Sequence, residues 1–173
     1  NSTTRQGNLL RIIGTEYNPA HQAFEVYVAG CTRKCPGCHN PETQSFGKGR
    51  RWPEWLRDNR YKLGTQMFRH VWVLGGDLLC QPDMVDAAEF IKALRRAMPE
   101  GMQLWLWTGG GIEDVPSTLI PWLNFVKTGE YQQGEPEVII DYGSDSVQLK
   151  LASANQTLWE IKENTYEPCR VGG

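Results

Sequence analysis

The sequence predicts an α/β protein: a single domain built as a truncated (partial) β/α barrel, with a mostly parallel, curved sheet. Three observations predict it. Short apolar segments with strand character alternate with helical ones at the spacing of βαβ units. Gly-rich runs directly follow several of those strands, where α/β folds place their ligands. A chain of 173 residues is too short for eight strand–helix units, which take about 250.

The elements follow in order. Leu9 to Tyr17 holds an apolar stretch that predicts an edge strand ended by Asn18-Pro19, so residues 1–20 form an N-terminal edge segment. Phe24 to Gly30 (FEVYVAG) is rich in β-branched and aromatic residues, a strand signal. Asn40 to Arg51 is polar and Gly-containing, a loop. Pro53 to Met67 reads as a helix, with Trp55, Leu56, Leu63 and Met67 as its apolar positions and Pro53 in the first turn. His70 to Leu74 (HVWVL) is a continuous apolar run, as in a strand buried on both faces, and it stops at Gly75-Gly76-Asp77. Pro82 and Asp83 open a helix whose Met84, Ala87, Ala88, Ile91, Leu94 and Met98 recur at helical spacing until Pro99 ends it. Gln103 to Trp107 (QLWLW) predicts another strand, closing on Thr108 and three glycines. Leu119 to Leu123 fits a short helix. Asn124 to Lys127, Val138 to Asp141 and Val147 to Leu151 read as further strands, and residues 164–173 as a flexible tail.

Composition narrows the function. A formal charge of -2 and scattered basic residues argue against a nucleic-acid surface. No apolar run approaches the roughly 20 residues that cross a bilayer, and the first thirty residues lack a secretory apolar core. A cytoplasmic protein without a membrane partner is the expectation. Five cysteines, three of them within eight residues, do not resemble a secreted disulfide framework. Crowded thiols in a reducing compartment read as ligands or redox groups.

The sharpest feature is Cys31-Thr-Arg-Lys-Cys35-Pro-Gly-Cys38, a C-x3-C-x2-C spacing. Three thiolates on one tight loop can hold three irons of a cubane cluster and leave the fourth without a protein ligand. An electron-carrying cluster usually has a fourth cysteine, so an open iron points to small-molecule binding. Structural zinc is the first alternative, with His39 completing Cys3His, but adjacent Cys38 and His39 chelate poorly. A thioredoxin-like Cys35-Pro-Gly-Cys38 is the second, and it leaves Cys31 unexplained.

With these residues in place, the chain resembles the radical S-adenosylmethionine (SAM) superfamily. Within it, the chain is most similar to the activating enzymes of anaerobic ribonucleoside-triphosphate reductase. The resemblance rests on Val28-Ala29-Gly30-Cys31, Cys35-Pro-Gly-Cys38-His39-Asn40, Leu74-Gly75-Gly76-Asp77, Leu104 to Gly109 (LWLWTG), Asn124 to Tyr131 (NFVKTGEY) and Ser153-Ala-Asn-Gln156. It departs at Leu78, where the family usually has proline, while Gly37 before the third cysteine is a glycine the activating subgroup shares.

The resemblance implies the following. The fold is a partial barrel of the radical SAM type. Cys31, Cys35 and Cys38 ligate a [4Fe-4S] cluster whose open iron binds SAM. Gly37 and His39 flank the last ligand against SAM, and Gly75, Gly76 and Asp77 receive its methionyl amine. Thr108 and Gly109 end the next strand on the same rim. Reductive cleavage of SAM then yields a 5′-deoxyadenosyl radical that takes hydrogen from a glycine of the partner reductase, with flavodoxin or ferredoxin as electron donor. A small-molecule enzyme of the 7-carboxy-7-deazaguanine synthase type and a zinc-binding interaction module are the competing functions. Cys80 lies close to the Gly-Gly-Asp motif and reads as a small buried hydrophobe outside the ligand set, and Trp72, Trp105 and Trp107 read as core.

Overall fold

The computed structural model describes residues 9–33, 35–38, 41–142 and 147–172. Its main sheet has eight strands: β1 (Arg11–Asn18), β2 (Ala23–Val28), β3 (Arg50–Arg51), β4 (His70–Gly75), β5 (Gln103–Trp107), β6 (Phe125–Thr128), β9 (Thr157–Lys162) and β10 (Thr165–Pro168). They lie in the order β10-β9-β6-β5-β4-β2-β1-β3. A separate hairpin, β7 (Val138–Tyr142) with β8 (Val147–Leu151), makes a second sheet. Two α-helices occur among the described residues, α1 (Trp52–Leu63) and α2 (Met84–Ala97).

This architecture corrects the expected partial β/α barrel with a mostly parallel sheet. Only the central β2-β4-β5-β6 ladder is parallel. β1, β3, β9 and β10 join it antiparallel, giving a mixed, strand-rich sheet with few helices. The reasons are local. Between β5 and β6, Gly109 to Gly111, Pro116 and Pro121 break helical pattern, so that crossover holds only two 3-10 turns, Ile112–Asp114 and Ile120–Trp122. The short helix expected at Leu119 to Leu123 is the second of these. At the far edge, Glu163 and Asn164 adopt φ of 51° and 65°, a two-residue reversal of the kind that forces β9 and β10 into a hairpin. The stretch read as a tail thus supplies β10, and Gly172 donates its N–H to Ile139 O at 2.7 Å.

The two helices cover one sheet face. Asp83 caps α2 by accepting from Asp86 N at 3.0 Å, and Ala87, Phe90, Ile91 and Leu94 form its buried stripe. Phe90 and Leu94 have no exposed surface, and burying such a side chain stabilises by about 1.5–3 kcal/mol. The buried Asp86 carboxylate accepts from Leu10 N and Trp52 Nε1, both at 2.8 Å, locking α2 to the starts of β1 and α1. The opposite face carries Trp72, Trp105 and Phe125, and the β7–β8 hairpin seals its lower part with Ile140, Tyr142, Leu149 and Leu151. The upper part stays open as a cavity. No helix among the described residues is long and apolar enough to cross a membrane.

Under the hairpin, Trp105 Nε1 donates to His70 Nδ1 at 3.0 Å. That bond requires an unprotonated Nδ1, and burial lowers the His70 pKa from 6.5 to about 4, with the charges of His21 and Arg69 adding to the shift. The unfolded chain therefore takes up this proton first, so His70 weakens the fold as pH falls from 6.5 towards about 4 and has no effect above that window. Melting temperature is expected to drop between pH 6.5 and 4.5. His70→Asn, which keeps an acceptor for Trp105, should flatten that slope; an unchanged slope would remove His70 as its cause.

Candidate functional site

A cavity of about 330 Å³ opens at the C-terminal ends of the parallel strands. Cys31, Cys35 and Cys38 all border it, as do Gly75, Gly76, Asp77, Thr108 and Gly109. The structure therefore brings three separate sequence motifs to one place.

The cysteine loop leaves β2 through Gly30. Gly30 N donates to Thr43 O at 2.7 Å and Cys31 N to Gln44 O at 3.1 Å, so the returning chain pins the loop's base. Cys38 N donates to Cys35 O at 3.1 Å, which makes the second half a tight turn. Gly37 sits in that turn with Gln133 and the cavity-lining Tyr131 as its neighbours, and does not itself border the cavity. His39 lies outside the described residues. Burial pushes the Cys31 thiol up to about 11, opposed by a backbone hydrogen bond at Arg33 and reinforced by the neighbouring Cys80 thiol. Burial also raises Cys35, helped by the charge of Glu130. Metal loading at these thiols must displace protons. The soft thiolate donor set suits an iron–sulfur cluster. Among the described residues, no group of three or more His, Cys, Asp or Glu side chains is gathered closely enough to hold a metal ion, so the three thiols border the cavity without converging on one point.

The Gly-Gly-Asp motif is held against the loop by backbone. Gly76 N donates to Val28 O and Asp77 N to Gly30 O, both at 2.8 Å. Gly75 has a φ of +108° and lies close to the Tyr27–Val28 backbone, an approach and a conformation that favour glycine. Asp77, 2% exposed, has both carboxylate oxygens in use. Thr108 Oγ1 donates to each at 2.9 Å, Gly109 N to Oδ2 at 2.8 Å, Leu79 N to Oδ1 at 3.0 Å, and Arg33 Nε to Oδ2 at 3.0 Å. Burial works against the Arg33 cation, but the hydrogen bond and charge of Asp77 outweigh it and hold the guanidinium more firmly charged than usual. Arg33 also reaches Glu130 Oε1 at 3.4 Å. Asp77 is thus the knot that ties the cysteine loop to the ends of β4 and β5.

Several site residues carry no motif. Arg33 is an unspecified position inside the cysteine spacing. Lys127 reads from sequence only as a strand residue, yet it faces the cavity, 7% exposed. Burial lowers its pKa to about 8, with Asp77 and Cys35 opposing the shift. The Ser153-Ala-Asn-Gln156 segment holds the end of β6: Gln156 Nε2 donates to Gly129 O at 3.2 Å and Asn155 Nδ2 to Glu130 O at 2.8 Å. Cys80, expected as a buried hydrophobe near the Gly-Gly-Asp motif, is only partly buried: it accepts from Thr32 Oγ1 at 3.3 Å and stands beside Cys31. Trp105 and Trp72 are buried in the core as expected, Trp72 also bordering the cavity, whereas Trp107 is only partly buried and forms part of the cavity wall. Alternation along β5 was the available signal, since Trp105 and Trp107 share one face.

The profile of the 4Fe-4S single cluster domain family matches residues 22–149, from the start of β2 into β8. Among curated proteins, the chain is similar to the anaerobic ribonucleoside-triphosphate reductase-activating protein of Enterobacteria phage T4, 24% identical over 144 residues, which covers 82% of this chain and 86% of that protein. Proteins of the same name from Pasteurella multocida and Escherichia coli strain K12 are 24% and 25% identical, with 80% and 70% of this chain covered and 87% and 84% of theirs.

Proposed function

The chain belongs to the 4Fe-4S single cluster domain family, and from that premise we propose that it is a radical SAM enzyme that activates an anaerobic ribonucleoside-triphosphate reductase. The observation that carries the proposal is the meeting of the three-cysteine loop, the Gly75-Gly76-Asp77 turn and the Thr108-Gly109 strand end around one cavity, in a chain whose curated relatives carry the activating-protein name.

In this reading Cys31, Cys35 and Cys38 would hold the cluster, and three thiolates for four irons would leave one iron free to bind a small molecule. When bound, the cluster would supply the electron that breaks a sulfonium C–S bond of SAM, and the resulting carbon radical would take hydrogen from a glycine of the reductase. The chain's own residues bind and orient. Backbone carbonyls at Gly75 and Gly76 receive the methionyl amine, and Asp77 fixes their position through Arg33, Thr108 and Gly109. His39 and Gly37 flank the last ligand, and Trp72 and Trp107 keep water from the cavity wall. A flavodoxin or ferredoxin supplies the electron.

The test is anaerobic reconstitution with iron and sulfide, followed by EPR of the reduced protein before and after SAM, with 5′-deoxyadenosine release measured in the same sample. A [4Fe-4S]+ signal perturbed by SAM, and a glycyl radical that appears only with the reductase, are the expected results. SAM cleavage without any reductase-dependent radical would favour a small-molecule substrate. One bound zinc with no response to SAM would leave a binding module.

A further inference from the structure

The arm that returns from the cysteine loop, residues 43–51, carries a short basic cluster, Lys48, Arg50 and Arg51, in a chain whose net charge is -2. Lys48 is exposed, and the side chains of Arg50 and Arg51 keep 49% and 37% of their surface. Arg11 donates to Gly49 O of the same arm at 2.8 Å. Carboxylates are scarce around it. Asp58 is shared by Arg50 at 2.5 Å and Arg57 at 3.7 Å, and Glu54 pairs with Arg51 at 2.9 Å. Among the described residues no carboxylate pairs with Lys48. Glu42, just before the arm, lines a separate hollow with Gly14 and Tyr27. The arm also exposes an aromatic side chain. Phe46 is 38% exposed, and a Cβ on Gly30 would run into its ring, so the ring rests on the residue that precedes Cys31. None of Phe46, Lys48, Arg50 and Arg51 borders the cavity.

An exposed aromatic ring among arginines has the composition of a docking surface, and surplus positive charge steers an acidic partner towards it. The position decides which kind of partner. A substrate protein must reach into the cavity, whereas an electron carrier needs only a short route to a cluster ligand. Phe46 rests on Gly30, and Gly30 is bonded to Cys31, so that route exists while the cavity stays free. Resting on the radical SAM reading above, we infer that the 43–51 arm, with Phe46 exposed and Lys48, Arg50 and Arg51 beside it, is the docking surface of a small acidic one-electron carrier protein. The step it serves moves one electron and no atoms: the carrier is oxidised by one electron and the cluster reduced by one.

The test follows reduction of the cluster-loaded protein by stopped flow, with reduced flavodoxin or ferredoxin as the acidic carrier and photoreduced deazaflavin as a small neutral reductant. In the double variant Lys48→Glu, Arg50→Glu, the second-order rate constant with the carrier is expected to fall about tenfold or more at low salt. The gap should close as salt screens the charges, and the rate with deazaflavin should stay at the wild-type value. Lys48→Arg with Arg50→Lys, which keeps both charges, should retain the carrier rate. Iron content and melting temperature verify that each variant is loaded and folded. An unchanged carrier rate in the charge-reversed variant, or an equal loss with deazaflavin, would overturn the assignment. So would a wild-type carrier rate with weakened reductase binding, which would give the arm to the protein substrate. A wild type reduced by deazaflavin but by neither carrier would remove the acidic carrier as the occupant. A wild type that holds no reducible cluster would instead sink the underlying functional reading.

Discussion

Alanine at Cys31, Cys35 or Cys38 is expected to abolish cluster retention and SAM cleavage, whereas Cys80→Ala keeps both. The three loop thiols border one cavity and come from a single segment pinned at both ends by backbone hydrogen bonds. The carboxylates that act on these thiols, Asp77 on Cys31 and Glu130 on Cys35, are both engaged by Arg33 and so are poor substitutes for a lost thiolate. Groups that merely orient a ligand already change metal affinity or activity by about 10–100-fold, so loss of a ligand should exceed about 100-fold. Cys80 is the demanding control. It stands beside Cys31 and shares a hydrogen bond with Thr32 of the same loop, so proximity alone would make it a candidate ligand. It comes, however, from the 3-10 turn Leu78–Cys80 behind the Gly-Gly-Asp motif, outside the loop that presents the other three. Iron and sulfide per chain, visible absorbance and 5′-deoxyadenosine yield separate the cases. A colourless, inactive Cys80→Ala protein would make Cys80 the fourth ligand and close the iron site that the proposed chemistry needs.

The parts of this site that were legible in the sequence are those whose chemistry is local. Cys31, Cys35 and Cys38 are spaced for one loop whatever the surrounding topology, and a Gly-Gly-Asp run at the end of a buried strand announces a sharp turn. Lys127 was not legible as a site residue. Its neighbours Phe125 and Val126 are both buried, on opposite faces of the sheet, and nothing in the sequence tells which face of β6 is filled and which is left open. Arg33 was hidden for a related reason: its partner Asp77 lies 44 positions away, and only the parallel β2–β4 pairing brings them together. The fold class failed where the pattern between strands was ambiguous. Residues 108–124 are long enough for a crossover helix, but their glycines and prolines leave 3-10 turns. Thr157–Lys162 and Thr165–Pro168 pair through a Glu163-Asn164 reversal that lacks the Asn-Gly signal of a tight hairpin.

Gly76→Ala should damage both the fold and the site, because at this position the motif touches the cysteine loop backbone to backbone. A Cβ on Gly76 would press on the Gly30 carbonyl oxygen and lie 2.7 Å from Gly30 C and 2.9 Å from Gly30 N. Neither side can yield by changing a rotamer. Gly76 N is bonded to Val28 O and Asp77 N to Gly30 O, so moving either strand breaks parallel contacts that flank the site. Overpacking of this kind costs about 1–3 kcal/mol, and the displacement passes to Cys31, the next residue after Gly30. A shift of about 1 Å in a reacting group can cost on the order of 100-fold in rate. Gly14→Ala is the matched control, since a Cβ there meets nothing within 4 Å. It should leave melting temperature and iron content near wild type, while Gly76→Ala lowers both and cuts SAM cleavage more than iron loss alone explains. If the two variants behaved alike, the close approach of Gly76 to Gly30 would not be what requires glycine there. The motif would then act only through the Asp77 carboxylate and its hold on Arg33, Thr108 and Gly109.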